Sequence, residues 1–203
     1  MTLWCIGRNY RAHAQELNNP IPLKPLIFIK PEGAVTHAPQ IQLPPASGPI
    51  HFECELAVKL GAELKPSSLA LALDLTARTV QDELKKKGEP WALAKAFIGS
   101  CPMSAEIPFP ADFTSLQFEF YKNTQLVQRG VVADMIFSLP VLLEYLTQHF
   151  PILPGDWILT GTPAGVGPLE SGDALKAQIP GRLEASWAVQ EVVQEVVQET
   201  VSN

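Results

Sequence analysis

The stretch IHFECELAVKL, Ile50 to Leu60, decides the fold. Polar and apolar residues alternate along it, which predicts a β-strand. The period of two puts Glu53 and Glu55 on one face and Phe52, Cys54 and Leu56 on the other. Next-but-one side chains on a strand stand roughly 7 Å apart at their Cα atoms, within reach of one shared ion for two glutamates. Two carboxylates on one face repel unless a cation lies between them. The plain alternative is a solvated face carrying two unrelated glutamates.

Asp74 follows in LALDLTAR, ahead of Thr76, and sits at a strand end just before a helix predicted over Thr76–Lys87. It is either an ordinary capping residue or a third oxygen ligand. An all-carboxylate site of this kind selects Mg²⁺ or Mn²⁺ over zinc. The helix has Thr76 as its cap, three lysines in its last turn and Gly88 just beyond, matching the helix macrodipole.

Around this centre the pattern is strand-rich. LWCIG near the N-terminus and LIFIK (Leu26 to Lys30) read as strands, with a short helix from Tyr10 to Leu17 capped by Asn9 between them. LQFEFYK turns at Asn123-Thr124 into QLVQ, a hairpin. Ser138 to Gln148 reads as a helix with Pro140 in its first turn. DWILTGTP is a strand entering a glycine-rich loop, and two further strands run to Trp187. Nineteen prolines punctuate short segments, and the fold class is α+β dominated by β. One domain spans residues 1–189. The tail, 190–203, continues a VQEV-type repeat whose valines from Val189 onward fall on a helical stripe.

Composition narrows the function classes. The formal charge of −6 argues against nucleic acid or an anionic membrane as the main partner. No window approaches the ~20 apolar residues of a membrane span, and no signal peptide is evident. Cys5, Cys54 and Cys101 are odd in number and scattered, which disfavours a disulfide framework and suits a reducing cytoplasm. The loop GTPAGVG has no Walker lysine behind it, so a nucleotide P-loop is excluded.

Six segments together resemble the fumarylacetoacetate hydrolase family. They are GRNYRAHAQE (Gly7–Glu16), PLIFIKP (Pro25–Pro31), HFECELAVKLG (His51–Gly61), LDLTARTVQDELKKKGEPWALAKAF (Leu73–Phe97), DMIF (Asp134–Phe137) and PGDWILTGTPAGVG (Pro154–Gly167). The likeness runs from about Cys5 to Val189 and is greatest to the small acylpyruvate hydrolase and oxaloacetate decarboxylase branch. The resemblance implies a mixed β-sheet roll with a few short helices, usually a homodimer. It implies Mg²⁺ or Mn²⁺ held by Glu53, Glu55 and Asp74, with His13 and Glu16 as a catalytic dyad on a lid helix. Lys95 and Gln81 are implied as polar groups facing the substrate. Arg8, Lys30, Thr162 and Gly161 are implied in substrate binding. The activity implied is cleavage of a carbon–carbon bond in a small keto acid, as in hydrolysis of an acylpyruvate. Oxaloacetate decarboxylation, keto–enol tautomerisation and a binding protein without turnover are the alternatives.

The residues themselves leave choices open. His13 and Glu16 at i and i+3 are an oriented base or a surface contact. Lys95, among Leu93, Ala94, Ala96 and Phe97, either has a lowered pKa or snorkels to solvent. Two departures from the family pattern stand out: the segment between Gly61 and Asp74 is short, and Thr79 replaces an aspartate that would support Arg78.

Overall fold

The strand predicted over Ile50–Leu60 forms as two strands, and its break at Glu53 places the site. In the computed structural model, which describes residues 1–44 and 48–191, Ile50–Phe52 joins one sheet and Cys54–Leu60 another. The Cys54 N–H is donated to Gln128 Oε1 at 2.9 Å, not to a neighbouring strand. Left unpaired in the interior, that N–H would cost about 1–3 kcal/mol, so Gln128 makes the break tolerable.

In chain order the elements are β1 (Thr2–Gly7), α1 (Arg11–Glu16), β2 (Leu26–Pro31), β3 (Val35–Thr36), β4 (Gln40–Leu43), β5 (Ile50–Phe52), β6 (Cys54–Leu60) and β7 (Pro66–Leu73). Then come β8 (Thr76–Ala77), α2 (Arg78–Lys87), α3 (Ala92–Lys95), β9 (Cys101–Pro102), β10 (Ile107–Pro108), β11 (Gln117–Lys122) and β12 (Gln125–Val131). The last are α4 (Leu139–His149), β13 (Trp157–Leu159), β14 (Gly167–Pro168), β15 (Ala174–Ile179) and β16 (Leu183–Glu191). A six-stranded sheet has the order β10-β7-β6-β13-β1-β2, and a five-stranded sheet the order β12-β11-β15-β16-β4. Both are mixed: β1 runs parallel to β13 and β16 parallel to β4, the other pairings being antiparallel. The fold is α+β and dominated by β, with four short α-helices among the described residues.

Strand β6 lies inside its sheet and is buried on both faces. Leu56 and Val58 enter the large core with Phe118, Phe120 and Ile158, while Ala57 enters a smaller cluster with Leu3, Cys5 and Ala70. A solvated glutamate face is therefore ruled out. The β6–β7 hairpin closes tightly, with Gly61 N–H donating to Lys65 O at 2.8 Å. Its register pairs Cys54 with Leu73 and carries Asp74 to Glu53, where Asp74 N–H donates to Glu53 O at 2.8 Å. The shortened segment thus leaves Asp74 in place, because the ladder positions it and not the loop.

Several expectations need correction. Helix α2 starts at Arg78; Thr76 lies in β8, and its hydroxyl donates to Asp74 O at 3.1 Å instead of capping the helix. Asn9 does not cap α1. Its amide donates to Thr160 O and Phe137 O, and its Oδ1 accepts from Phe137 N–H, so it ties three distant loops together. Val189 is not helical: it is buried in β16, paired with Ile41 of β4. The rest of the repeat, from residue 192, lies outside the described residues. The Asn123-Thr124 turn does form, both residues taking positive φ (50° and 68°), and Gly88 closes α2 at φ 71°. Cys5, Cys54 and Cys101 are free and buried. Among the described residues no helix is long and apolar enough to cross a membrane.

Candidate active site and metal centre

Where the three-stranded sheet β14-β5-β8 meets the six-stranded sheet at the Glu53 break, Glu53, Glu55 and Asp74 converge. Their ligand oxygens lie within 4.8 Å of one another, and the residues are only 5%, 2% and 1% exposed. Burial of three carboxylates demands counter-charge. Glu53 has it from Arg78 and from Lys95 Nζ at 2.8 Å. Asp74 has it from Lys95 at 2.6 Å and Lys30 at 2.9 Å. Glu55 has none among the described residues: its Oε2 accepts only the Gly161 N–H, at 2.7 Å.

The protonation tendencies follow this asymmetry. Burial works against ionisation of Glu53, but Lys95 and Arg78 together hold it well below the usual carboxylate range. Burial raises Glu55, and the neighbouring Asp74 and Glu53 push it further the same way. Three cations face three carboxylates, but none of them contacts Glu55, and the three carboxylates within 4.8 Å of one another form a hard-oxygen donor set. The residues fit a divalent Mg²⁺ or Mn²⁺ ion.

A narrow cleft leads to this trio. Arg8, His13, Gln81, Lys95 and Thr162 line it with the carboxylates, as do Arg78 and Lys85. Lys95 neither snorkels nor has a lowered pKa. Its Nζ donates to Glu53, Asp74 and Thr76 Oγ1 over the Phe28 ring; against burial, Asp74 and Glu53 raise it above the ordinary lysine value. Gln81, buried on α2, accepts at Oε1 from Arg78 (2.8 Å) and Lys85 (3.2 Å), which leaves its amide N–H groups as donors.

His13 is buried on α1, with Nδ1 3.4 Å from Glu16 Oε2. Burial pushes its pKa down, opposed by Glu53 and Glu16, so the imidazole is a neutral base. Glu16 itself stands in the adjoining groove and also accepts the Gly165 N–H, which pins α1 to the glycine-rich loop.

One residue implied in substrate binding lies away from the cleft, and two others have their backbone or hydroxyl groups engaged by the protein. Lys30 does not line the cleft; it is fully buried behind Asp74, and its Nζ donates to the carbonyls of Leu75, Lys95 and Ser100. It supports the site from beneath because β2 turns it inward, next to the α3 loop. The Gly161 N–H is spent on Glu55. Thr162 faces the cleft, but its hydroxyl donates to Cys54 O and accepts from Gln128 Nε2.

Arg78 and Gln128 were missed as site residues. Arg78 precedes Gln81 by three on one helix face, a spacing that could have singled it out. It pairs with Glu53 and Gln81, while its buried Nε has no partner, consistent with Thr79 standing where an aspartate would support it. Gln128 shares the inward face of β12 with Gly130, where any Cβ would strike the Phe118 ring at 2.2 Å. That glycine was the available signal.

A model of the fumarylacetoacetate (FAA) hydrolase C-terminal domain matches residues 2–190. The oxaloacetate tautomerase YcgM of Escherichia coli is 41% identical over 191 residues, covering 87% of each chain. The mitochondrial oxaloacetate tautomerase FAHD1 of Homo sapiens is 39% identical over 202 residues, covering 92% of this chain and 90% of the relative. The solved fumarylpyruvate hydrolase from Pseudomonas aeruginosa, in complex with Mn²⁺ and pyruvate, superposes with a TM-score of 0.87 at 31% identity, covering 94% and 90% of the two chains. Near-complete coverage at these identities, on a fold whose three buried carboxylates open to one cleft, carries a single conclusion: the chain belongs to the fumarylacetoacetate hydrolase family.

Proposed function

We propose that the protein is a divalent-metal-dependent enzyme acting on a 2-oxo acid through its enolate, with oxaloacetate keto–enol tautomerisation as the leading reaction. The observation that carries this reading is His13 lining the same cleft as Glu53, Glu55 and Asp74, with burial favouring its neutral form. Glu53, Glu55 and Asp74 would hold Mg²⁺ or Mn²⁺, which when bound supplies a Lewis acid for the carboxylate and 2-oxo group of the substrate. Names of the relatives support the substrate class.

The protein's own residues do the remaining work. Glu16 engages His13 Nδ1, leaving Nε2 to move a proton at C3 of the substrate. In ketonisation the neutral Nε2 takes the enol hydroxyl proton and the imidazolium so formed delivers a proton to C3, so the imidazole ends each turnover neutral again. The Gln81 amide N–H groups donate to negative charge developing on oxygen, and Lys95, its three N–H bonds already given to Glu53, Asp74 and Thr76, contributes only the field of its charge. Acylpyruvate hydrolysis is the second reading, favoured by the same dyad, which can deprotonate a water, and by the fumarylpyruvate hydrolase likeness.

The test is a side-by-side assay with Mg²⁺, Mn²⁺ or chelator: decay of enol-oxaloacetate against pyruvate release from acetylpyruvate. Faster metal-dependent ketonisation than hydrolysis supports the leading reaction, and the reverse supports the second. No metal-dependent turnover of either would return the chain to a binding role.

A further inference from the structure

The cleft has an inner and an outer end, and their charges are balanced differently. At the inner end Arg78 and Lys95 are neutralised by Glu53 and Asp74. At the outer end stand two further cations, Arg8 and Lys85, both lining the cleft. Among the described residues Arg8 has no ion-pair or hydrogen-bond partner for its guanidinium. Lys85 has one carboxylate near it, the exposed Asp82, and that lies 3.9 Å away.

These two positions are built, not incidental. Arg78, Gln81 and Lys85 fall at i, i+3 and i+7 along α2, so one helical face presents all three to the cleft. Lys86 and Lys87, the other two lysines of that turn, are exposed on the opposite side. The Lys85 ammonium is held 3.2 Å from Gln81 Oε1 and 5.5 Å over the Trp91 ring, which packs in turn on Phe28. Arg8 sits at the end of β1 with φ 59°, a left-handed conformation uncommon for a residue with a side chain and enriched at ligand sites. Partial burial and mutual repulsion depress Lys85, with Arg78 and Arg8 both contributing. Among the described residues Arg8 has no partner and Lys85 only a long carboxylate contact, with the exposed Asp82, so the two cations can still take up an anion.

The geometry points to an outer anion subsite, formed by Arg8 and Lys85, that reads a second carboxylate on the substrate and commits the site to dicarboxylic 2-oxo acids. This rests on the proposed 2-oxo acid chemistry at the inner end and adds the residues that select among such acids. A monocarboxylic 2-oxo acid would satisfy the inner end and leave Arg8 unpaired and Lys85 with Asp82 alone. The lysine therefore determines specificity, and the macrodipole role suggested by its place in the last helical turn is secondary.

The test is isothermal titration of the Mn²⁺-loaded protein with two four-carbon probes: 2-oxobutanoate, and 3,3-difluoro-oxaloacetate, which adds the second carboxylate and cannot enolise at C3. The wild type should prefer the dicarboxylate by about 10- to 100-fold, the range expected for a hydrogen bond to a charged group. Lys85→Met should remove most of that preference by weakening the dicarboxylate while moving 2-oxobutanoate far less. Lys85→Arg should restore it, and Arg8→Met should act in the same direction. A preference unchanged in both Met variants, or absent from the wild type, overturns the subsite alone. Failure of the Mn²⁺-loaded wild type to bind either probe overturns the 2-oxo acid reading, and the subsite with it.

Discussion

Lys30 and Asp74 form an ion pair at 2.9 Å in which neither side chain is more than 1% exposed. The lysine also donates to the carbonyls of Leu75, Lys95 and Ser100, so one ammonium ties β2 to both the carboxylate centre and the loop after α3. Removing one partner of such a pair leaves a buried charge uncompensated, at a cost of about 3–5 kcal/mol. Lys30→Met should lower unfolding stability by that order in urea denaturation, and Asp74→Asn in the same background should recover part of it. A loss under ~1 kcal/mol would show the pair to be dispensable.

Glu55→Gln keeps the acceptor for the Gly161 N–H while removing the one carboxylate of the three that lacks a cation. The metal-free variant should melt at or above the wild-type temperature, because like-charge repulsion with Asp74 and Glu53 is relieved. Mn²⁺ affinity should fall by more than ~100-fold, beyond the roughly 10–100-fold typical of residues one shell further out. Calorimetry reads both effects; undiminished affinity would remove Glu55 from the ligand set.

The dyad separates the two candidate reactions. Hydrolysis needs a base to activate water, and general acid–base catalysis contributes ~10²–10⁴-fold. His13→Ala and Glu16→Ala should lose acylpyruvate cleavage by a factor in that range. His13→Ala should slow ketonisation comparably, whereas Glu16→Ala, which only orients the imidazole, should slow it less. Equal losses from both variants in both assays would mean that α1 acts as a lid and not as a carrier of two distinct groups.

The pH dependence follows from the direction of the His13 shift. Its pKa in the folded protein lies below the ordinary 6.5, chiefly through burial, so the neutral base persists as pH falls through that value. Its contribution to stability is present above the unfolded pKa and is lost as pH drops through the folded one. The acid limb of kcat/KM should therefore lie below pH 6.5. Glu16→Gln should move it lower still, since Glu16 favours the imidazolium. A limb above 6.5 assigns the base elsewhere.

Gln128 satisfies the Cys54 N–H and both Thr162 Oγ1 and Pro163 O. Gln128→Leu orphans a buried donor, and a destabilisation of about 1–3 kcal/mol is expected in chemical denaturation. Because Cys54 lies between two of the carboxylates, Mn²⁺ affinity should weaken as well. Gln128→Glu keeps the acceptor for Cys54 but loses the donors to Thr162 and Pro163 and buries a carboxylate without a cation, so it should lose at least as much stability.

The legible part of the site was the part that local period encodes. Alternation put Glu53 and Glu55 together, and the turn residues Asn123 and Gly88 announced a hairpin and a helix end. What escaped depends on partners far along the chain. Nothing near Glu53 signals that the strand changes sheets there, because the residue permitting it is Gln128. Lys30 reads as a strand-end cation whose destination is unknowable until Asp74 is placed beside it. Asn9 has the composition of a cap, yet its acceptors lie at Phe137 and Thr160. Thr76 likewise looked like a cap and instead serves Lys95 and Asp74.

Strand β1 lies between β2 and β13, in parallel register with Trp157–Leu159. During synthesis, β1 must wait with one edge unpaired until more than 150 residues have followed it. Closing so long a loop is entropically slow, and folding dominated by non-local pairing falls in the millisecond-to-second range for domains of this kind. A nascent chain halted before Trp157 carries an exposed β1 edge that invites association with other chains.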